Sequence, residues 1–177
     1  MIAAVCRAYI RGASSGVGDG LAGAVERVNE MLHLDIPANR FVTAAVGVLT
    51  PTTHEMELVS VGQAPMLYRR AATGEVENWP ADDVPFAVAS GMSLDEVRRI
   101  HFEPGDALVL TTDGFFEWPD PTGDQYGIER LERLVARAGG DPPETLVEAL
   151  QQDVLNHAGG VEQPDDVTVV VVRREAS

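Results

Sequence analysis

Near the start of the chain, apolar residues recur three and four apart. Ile2, Val5, Cys6, Tyr9 and Ile10 fall on one face of a helix. No capping residue precedes them, so the pattern predicts a chain that opens inside an amphipathic helix. Gly12 to Gly20 is rich in Gly and Ser and predicts a loop, with Asp19 as N-cap of a second helix. The apolar face of that helix is Leu21, Val25, Val28, Met31 and Leu32, and it ends before Pro37.

The period then changes. Phe41 to Leu49 is a near-continuous apolar run, which predicts a central strand covered on both faces. Pro51-Thr-Thr makes a turn, and Glu55 to Val61 is the hairpin partner. Gly62-Gln-Ala-Pro65 reads as a tight corner, Met66 to Arg70 as a short strand, and Thr73-Gly74 as a turn. Asn78 to Gly91, broken by Pro80 and Pro85, predicts an irregular surface crossing. From Glu96 to Phe102 the alternation of Ile100 and Phe102 predicts an antiparallel strand. Pro104-Gly105-Asp106 turns into a buried strand, Ala107 to Thr112, and the loop Trp118 to Gly127 predicts an exposed, mobile segment.

Ile128, Leu131, Leu134, Val135 and Ala138 predict a helix stopped by Gly139-Gly140. Asp141-Pro-Pro-Glu144 reads as the start of another, with Asp141 as N-cap. Its inward face is Leu146, Val147, Leu150 and Val154, and Gly159-Gly160 ends it. Val167 to Arg173 is a last strand, expected beside the strand that ends at Thr112. Helices segregated from about five strands joined by tight turns predict an α+β fold, not a doubly wound one.

At 177 residues the chain suits one domain spanning 1–177. Thirteen basic against 28 acidic side chains leave a net charge of −15. That excludes the phosphate backbone of nucleic acid and an anionic membrane surface as partners. The single cysteine, Cys6, rules out an internal disulfide and a thiolate cluster, and reads as a small buried helix residue. His33, His54, His101 and His157 make no zinc spacing. No run is long enough to span a membrane and no basic leader opens the chain, so the expected location is cytoplasmic.

Candidate chemistry gathers at two strand ends. Asp113 follows the buried strand directly and is followed by Gly114; Asp165-Asp166 precedes the last strand. Carboxylates on rigid elements suit a hard cation. The same residues also read as ordinary turn formers. Glu117, Asp120 and Asp124 read as solvated loop acids. Trp79 and Trp118 read as packing residues, and Gln63 as a hydrogen-bonding residue of its corner.

The ordered runs Leu110-Thr-Thr-Asp-Gly-Phe-Phe-Glu117, Tyr126-Gly-Ile-Glu-Arg-Leu131 and Gln163-Pro-Asp-Asp-Val-Thr168 resemble the SpoIIE/RsbU branch of the PP2C-like (PPM) metal-dependent serine/threonine phosphatases. Phe41-Val-Thr43, Gly62-Gln-Ala-Pro65 and Pro104-Gly-Asp106 extend the resemblance over nearly the whole chain. It implies a PP2C-like antiparallel β-sandwich flanked by helix pairs in α-β-β-α layers. It also implies hydrolysis of a phosphoprotein, of the anti-sigma-factor-antagonist type, by a water bridging two Mn²⁺ or Mg²⁺ ions. Asp113 and Asp165 would be metal ligands, with Asp166 a direct or water-mediated one. Gly114 would keep the metal approach open, Gln63 would shape the corner, and Thr168 would pin the Asp-Asp turn.

The departures from that family pattern are specific. An earlier aspartate pair and an Asp-x-x-Gly-His-Gly-type segment, expected before the first helix, are not in the sequence, which implies an N-terminally truncated domain missing its first strands. Gln63 stands where the corner carries His, and Pro85-Phe-Ala87 where it carries Pro-Leu-Gly. The implied metal count falls from two to one or none. A partner-binding module without catalysis is the alternative function. Sheet edges left open by missing strands favour a homodimer.

Overall fold

The computed structural model describes residues 2–13, 20–95 and 97–175. Its elements in chain order are α1 (Ile2–Ala13), α2 (Gly20–Asp35), β1 (Ala44–Thr50), β2 (Glu55–Val61), β3 (Met66–Arg69) and β4 (Val76–Trp79). Then come β5 (Arg98–His101), β6 (Ala107–Thr111), α3 (Asp113–Phe116), α4 (Ile128–Ala138), α5 (Pro143–Ala158) and β7 (Val169–Arg173). The expected α+β class holds, with two antiparallel sheets and two helix pairs. The chain divides into two units, residues 1–63 with 81–101, and residues 64–80 with 102–177.

The first unit carries the sheet β1-β2-β5 with α1 and α2 laid on it. Val59 and Val61 of β2 face a core that includes Cys6, Val25, Val28, Leu32 and Phe86. The predicted helix faces are therefore the packed ones, and Cys6 is buried as expected. Burial also pushes its thiol pKa up. Asp19, the expected N-cap of α2, lies outside the described residues.

The strand expected over Phe41–Leu49 is shorter and differently placed. Among the described residues β1 pairs on one side only, with β2, and its second half, Gly47 to Thr50, is exposed. Ala44 and Val46 pack on the helix side, while Val48 and Leu49 are about half exposed, at 52% and 47%. An uncharged run reads the same at an edge as at the centre, so composition could not locate it.

Pro85-Phe-Ala87 is held by a buried amide. Asn29 of α2 is fully buried; its Oδ1 accepts from Ala87 N at 2.9 Å, and its Nδ2 donates to Ala89 O at 2.9 Å. Ala87 adopts a left-handed φ of 68°, the conformation for which glycine is best suited, so the departure from Pro-Leu-Gly leaves that backbone shape in place. Asn29→Ala would strand a buried N–H and a carbonyl. It is expected to cost about 2–4 kcal/mol, measured as a lower urea midpoint with unchanged m-value.

The second unit carries the sheet β4-β3-β6-β7. The last strand does return to lie antiparallel beside β6, from Ala107↔Arg173 to Thr111↔Val169. Helices α4 and α5 supply Leu131, Leu134, Val135, Leu146, Leu150 and Val154 to a core shared with Leu67 and Val109. Arg69 Nε donates to Ala136 O at 3.1 Å, placing a cation at the C-terminus of α4 where the helix dipole favours it. A Cβ on Gly139 would meet the Arg69 side chain at 2.4 Å, so this glycine ends the helix and admits the arginine.

Three further elements differ from the sequence expectation. β4 occupies Val76–Trp79, partly inside the stretch expected to be irregular; Glu77 bonds Trp79 Nε1 and Arg70, which masks the strand's alternation. Helix α5 starts at Pro143 with no side-chain cap, so Asp141 is not its N-cap; its fixed φ makes Pro143 a ready first residue. The loop 118–127 is anchored rather than loose. Trp118 and Tyr126 are buried, and Tyr126 N bonds Trp118 O. The Asp120 carboxylate collects Thr122 N, Thr122 Oγ1 and Asp124 N, which holds its pKa below the usual carboxylate range.

Two buried phenols of this unit set its behaviour in alkali. Burial, reinforced by hydrogen bonds to Asp153 and Asp106, raises the pKa values of Tyr126 and Tyr68. A raised folded-state pKa means stability that is complete below the unfolded tyrosine value of about 10 and lost as pH rises above it. Melting temperature is therefore expected to fall steeply above about pH 10. Tyr126→Phe should flatten that fall; an unchanged alkaline slope would contradict the assignment.

Candidate functional site

The backbone segments that carry Asp113 and Asp165-Asp166 come together at one end of the second sheet. β6 ends at Thr111, Thr112 is extended at φ −82° and ψ 160°, and Asp113 starts the short helix α3. Phe115, fully buried, anchors that helix and meets the Tyr126 ring edge-on at 5.4 Å. The strand thus ends in a helical turn, not in the simple Asp-Gly turn that the sequence allows.

The β6–β7 pairing brings Asp165-Asp166 alongside. Thr112 N donates to Thr168 O at 3.1 Å, and Thr168 N donates to Thr112 Oγ1 at 2.9 Å. The Thr112 hydroxyl donates in turn to Asp166 O at 3.1 Å. Thr168 meets Thr112 through its backbone, and the side chain that bridges to the Asp-Asp turn is that of Thr112. Sequence reasoning passed over Thr112 as the tail of a strand, although a hydroxyl one residue before a candidate ligand was the available signal.

Gly114 fits tightly beneath this turn. A Cβ there would lie 2.5 Å from Asp166 O and 3.2 Å from Asp165 O. Its backbone φ is unexceptional, so the need for glycine is one of space, not of torsion. Gln163 Nε2 bonds Asp165 O at 2.7 Å, and Trp118 Nε1 bonds Val161 O at 3.1 Å, fixing the approach to the acidic turn.

The carboxylates themselves face solvent. Asp113 Oδ1 accepts from Gly114 N at 3.0 Å, and Asp165 Oδ1 from Asp166 N at 2.7 Å. Asp113, Asp165 and Asp166 are exposed, and none has an ion-pair partner among the described residues. Like charges collected at one sheet end raise the local affinity for a cation. Yet among the described residues no three His, Cys, Asp or Glu side chains are gathered closely enough to hold a metal ion. The residues present therefore do not fit a two-metal centre by themselves. Gln63 belongs to the first unit, where its carbonyl accepts from the Ser60 hydroxyl.

Comparison with known proteins places this geometry in context. A family model for Stage II sporulation protein E (SpoIIE) matches residues 1–175. Stage II sporulation protein E of Bacillus subtilis (strain 168) is 23% identical over 159 residues, covering 90% of this chain and 18% of that protein. The SiaA-PP2C domain of Pseudomonas aeruginosa superposes with a TM-score of 0.79 at 18% identity, over 98% of this chain and 68% of that one. The PP2C phosphatase domain of the Bacillus subtilis cell fate determinant SpoIIE, solved with a fragment of its regulatory domain, gives 0.77 at 22% identity, over 97% and 50%. At these identities the solved structures show the fold: a PP2C-type phosphatase fold. The chain spans about a fifth of the length of the curated relatives it matches.

Proposed function

The chain belongs to the Stage II sporulation protein E (SpoIIE) family, and from that premise we propose that it serves a divalent-cation-dependent phosphatase acting on phosphoserine or phosphothreonine in a protein. The observation that carries this reading is the latch at the sheet end. The β6–β7 pairing, the Thr112 hydroxyl and the space left by Gly114 hold Asp113 and the Asp165-Asp166 turn side by side. Asp113, Asp165 and Asp166 are the residues assigned to Mn²⁺ or Mg²⁺, whose preference for carboxylate oxygen they match. Among the described residues they are the only carboxylates assigned to the ion, and they make only part of a two-metal site. The substrate proposed is a phosphorylated anti-sigma-factor antagonist, and the compartment proposed is the cytoplasm. Among the described residues no helix is long and apolar enough to cross a membrane.

The test uses the full-length gene product with Mn²⁺ and a phosphorylated protein substrate. Asp113→Asn keeps size and hydrogen bonding but removes the charge, and is expected to lower turnover by about 100-fold or more. Wild-type turnover in that variant, or no Mn²⁺-dependent hydrolysis at all, would sink the proposal.

A second reading has its own support. Because no three candidate ligands are gathered among the described residues, the chain could act as a partner-binding module of phosphatase shape. Calorimetric titration with Mn²⁺ separates the two. Tight uptake of two ions by this chain would rule out the binding-module reading.

A further inference from the structure

We infer that the groove between α3 and the start of α4 docks the polypeptide around the phosphorylated residue, and that it selects an apolar side chain together with a carboxylate. The inference rests on the phosphatase reading and adds a substrate class to it. The groove has a volume of about 510 Å³, and every residue that lines it lies between Phe116 and Arg133, within the second unit. Phe116 and Glu117 belong to its α3 side, and Tyr126, Ile128, Arg130 and Arg133 to its α4 side.

The groove is continuous with the candidate site. Helix α3 begins at Asp113 and ends at Phe116, and Glu117 N donates to Asp113 O at 2.9 Å. Along that helix the rise from Asp113 to Phe116 is about 5 Å, which one or two residues of extended chain would span. A polypeptide with its phosphorylated side chain at Asp113 would therefore lay residues about two to four positions away in the groove. The two sides of the groove are tied to each other. Gly127 N donates to Phe116 O at 2.9 Å, and Tyr126 N donates to Trp118 O at 2.9 Å. Tyr126 is buried and meets the Phe115 ring of α3 edge-on, so the α4 side keeps its place relative to Asp113.

Charge selects the occupant. In a chain of 28 acidic and 13 basic side chains, two arginines line this groove one helical turn from an acidic site. Arg130 is set in place by His157. The imidazole Nε2 donates to Asp124 O at 3.0 Å, which leaves Nδ1 to accept from Arg130. Arg133 meets Glu129 at 3.9 Å, with the two side chains 67% and 91% exposed, and so long and wet a pair holds it weakly. Its guanidinium can turn to a carboxylate on the docked chain and bind it through two hydrogen bonds. Phe116 and Ile128, both partly buried, offer apolar surface to a neighbouring side chain. Glu117 stands on the α3 side and repels an acid there, so a carboxylate is admitted on the α4 side alone.

Two phosphoserine peptides and a small ester test the groove. One peptide carries leucine and glutamate within about four residues on each side of the phosphoserine, the other alanine and lysine; the ester is para-nitrophenyl phosphate. With the full-length gene product and Mn²⁺, kcat/KM is expected to favour the leucine–glutamate peptide by about 10-fold, through KM. Arg133→Glu is expected to abolish or invert that preference, and Ile128→Ser to weaken it by about 3-fold or more. Arg137→Glu makes the same charge change at an exposed position of α4 outside the groove, and is expected to leave the preference intact. No preference in the wild type, a preference that survives Arg133→Glu, or equal loss with Arg137→Glu would each overturn the proposal. So would a matching fall in kcat for the ester, which would make the groove part of the catalytic frame. A change of oligomeric state in Arg133→Glu would assign the groove to a second copy and overturn it too. Fluorescence polarisation with the same peptides, labelled, separates the proposal from the reading it rests on. Selective binding without hydrolysis would sink the phosphatase reading alone, and hydrolysis of both peptides without selectivity would sink the docking groove alone.

Discussion

Asp106→Ala is expected to lower the stability of the second unit by about 3–5 kcal/mol. Asp106 is 3% exposed and is the acceptor for three donors from separate segments. Tyr68 OH reaches its Oδ2 at 2.5 Å, Glu103 N reaches the same oxygen at 3.0 Å, and Ala71 N reaches Oδ1 at 2.7 Å. One carboxylate thus ties the turn after β3 to the turn before β6. Alanine would leave all three donors without their acceptor, and unmade buried hydrogen bonds cost more than formed ones contribute. For a chain of this size the loss corresponds to a fall in melting temperature of roughly 6–20 °C. Asp106→Asn retains one acceptor oxygen and should fall between. A melting temperature within about 2 °C of wild type for Asp106→Ala would contradict this account.

The Asp106 network also shows what a linear reading can reach. Pro104-Gly-Asp106 is legible as a turn, because each residue type declares its backbone preference. That the aspartate is buried and shared by Tyr68 and Ala71 is not legible, because those partners come from a distant strand and its turn. The helices behave in the same way. The apolar faces of α2, α4 and α5 are set by a period of 3.6 and were found where the pattern put them. Strand rank is a tertiary property, so β1, uncharged and apolar, read as central although among the described residues it pairs on one side only. Loop 118–127 read as mobile from its prolines, glycines and acids. The buried ends Trp118 and Tyr126 and the Asp120 hydrogen bonds give it order that composition does not encode. At the candidate site the two acidic stretches were legible as strand ends, and their juxtaposition followed from pairing β7 with β6. The Thr112 hydroxyl bridge was not, since a threonine at a strand end is equally at home with no partner.

Gly114→Ala is expected to disrupt the candidate site while leaving every proposed ligand in the sequence. Its new methyl would sit 2.5 Å from Asp166 O and 3.2 Å from Asp165 O, and both neighbours are backbone atoms. A flexible side chain could turn aside; a carbonyl tied to the Thr112 hydroxyl cannot do so without moving the turn. Overpacking of this kind costs about 1–3 kcal/mol. Its larger effect falls on position, since a displacement of about 1 Å at a reacting centre can cost 100-fold in rate. In the full-length gene product, Mn²⁺-dependent turnover should therefore drop by about 100-fold or more, while the chain remains folded. Amide chemical shifts of Asp165, Asp166 and Thr168 should move, and those of the helix α4 should not. Gly12→Ala provides the contrast. A Cβ there meets nothing within 4 Å, and alanine inside α1 should be neutral or stabilising by up to about 1 kcal/mol. Full activity and unshifted amides in Gly114→Ala would mean that the acidic turn does not rest on this glycine, and the grouping of Asp113 with Asp165-Asp166 would lose its structural basis.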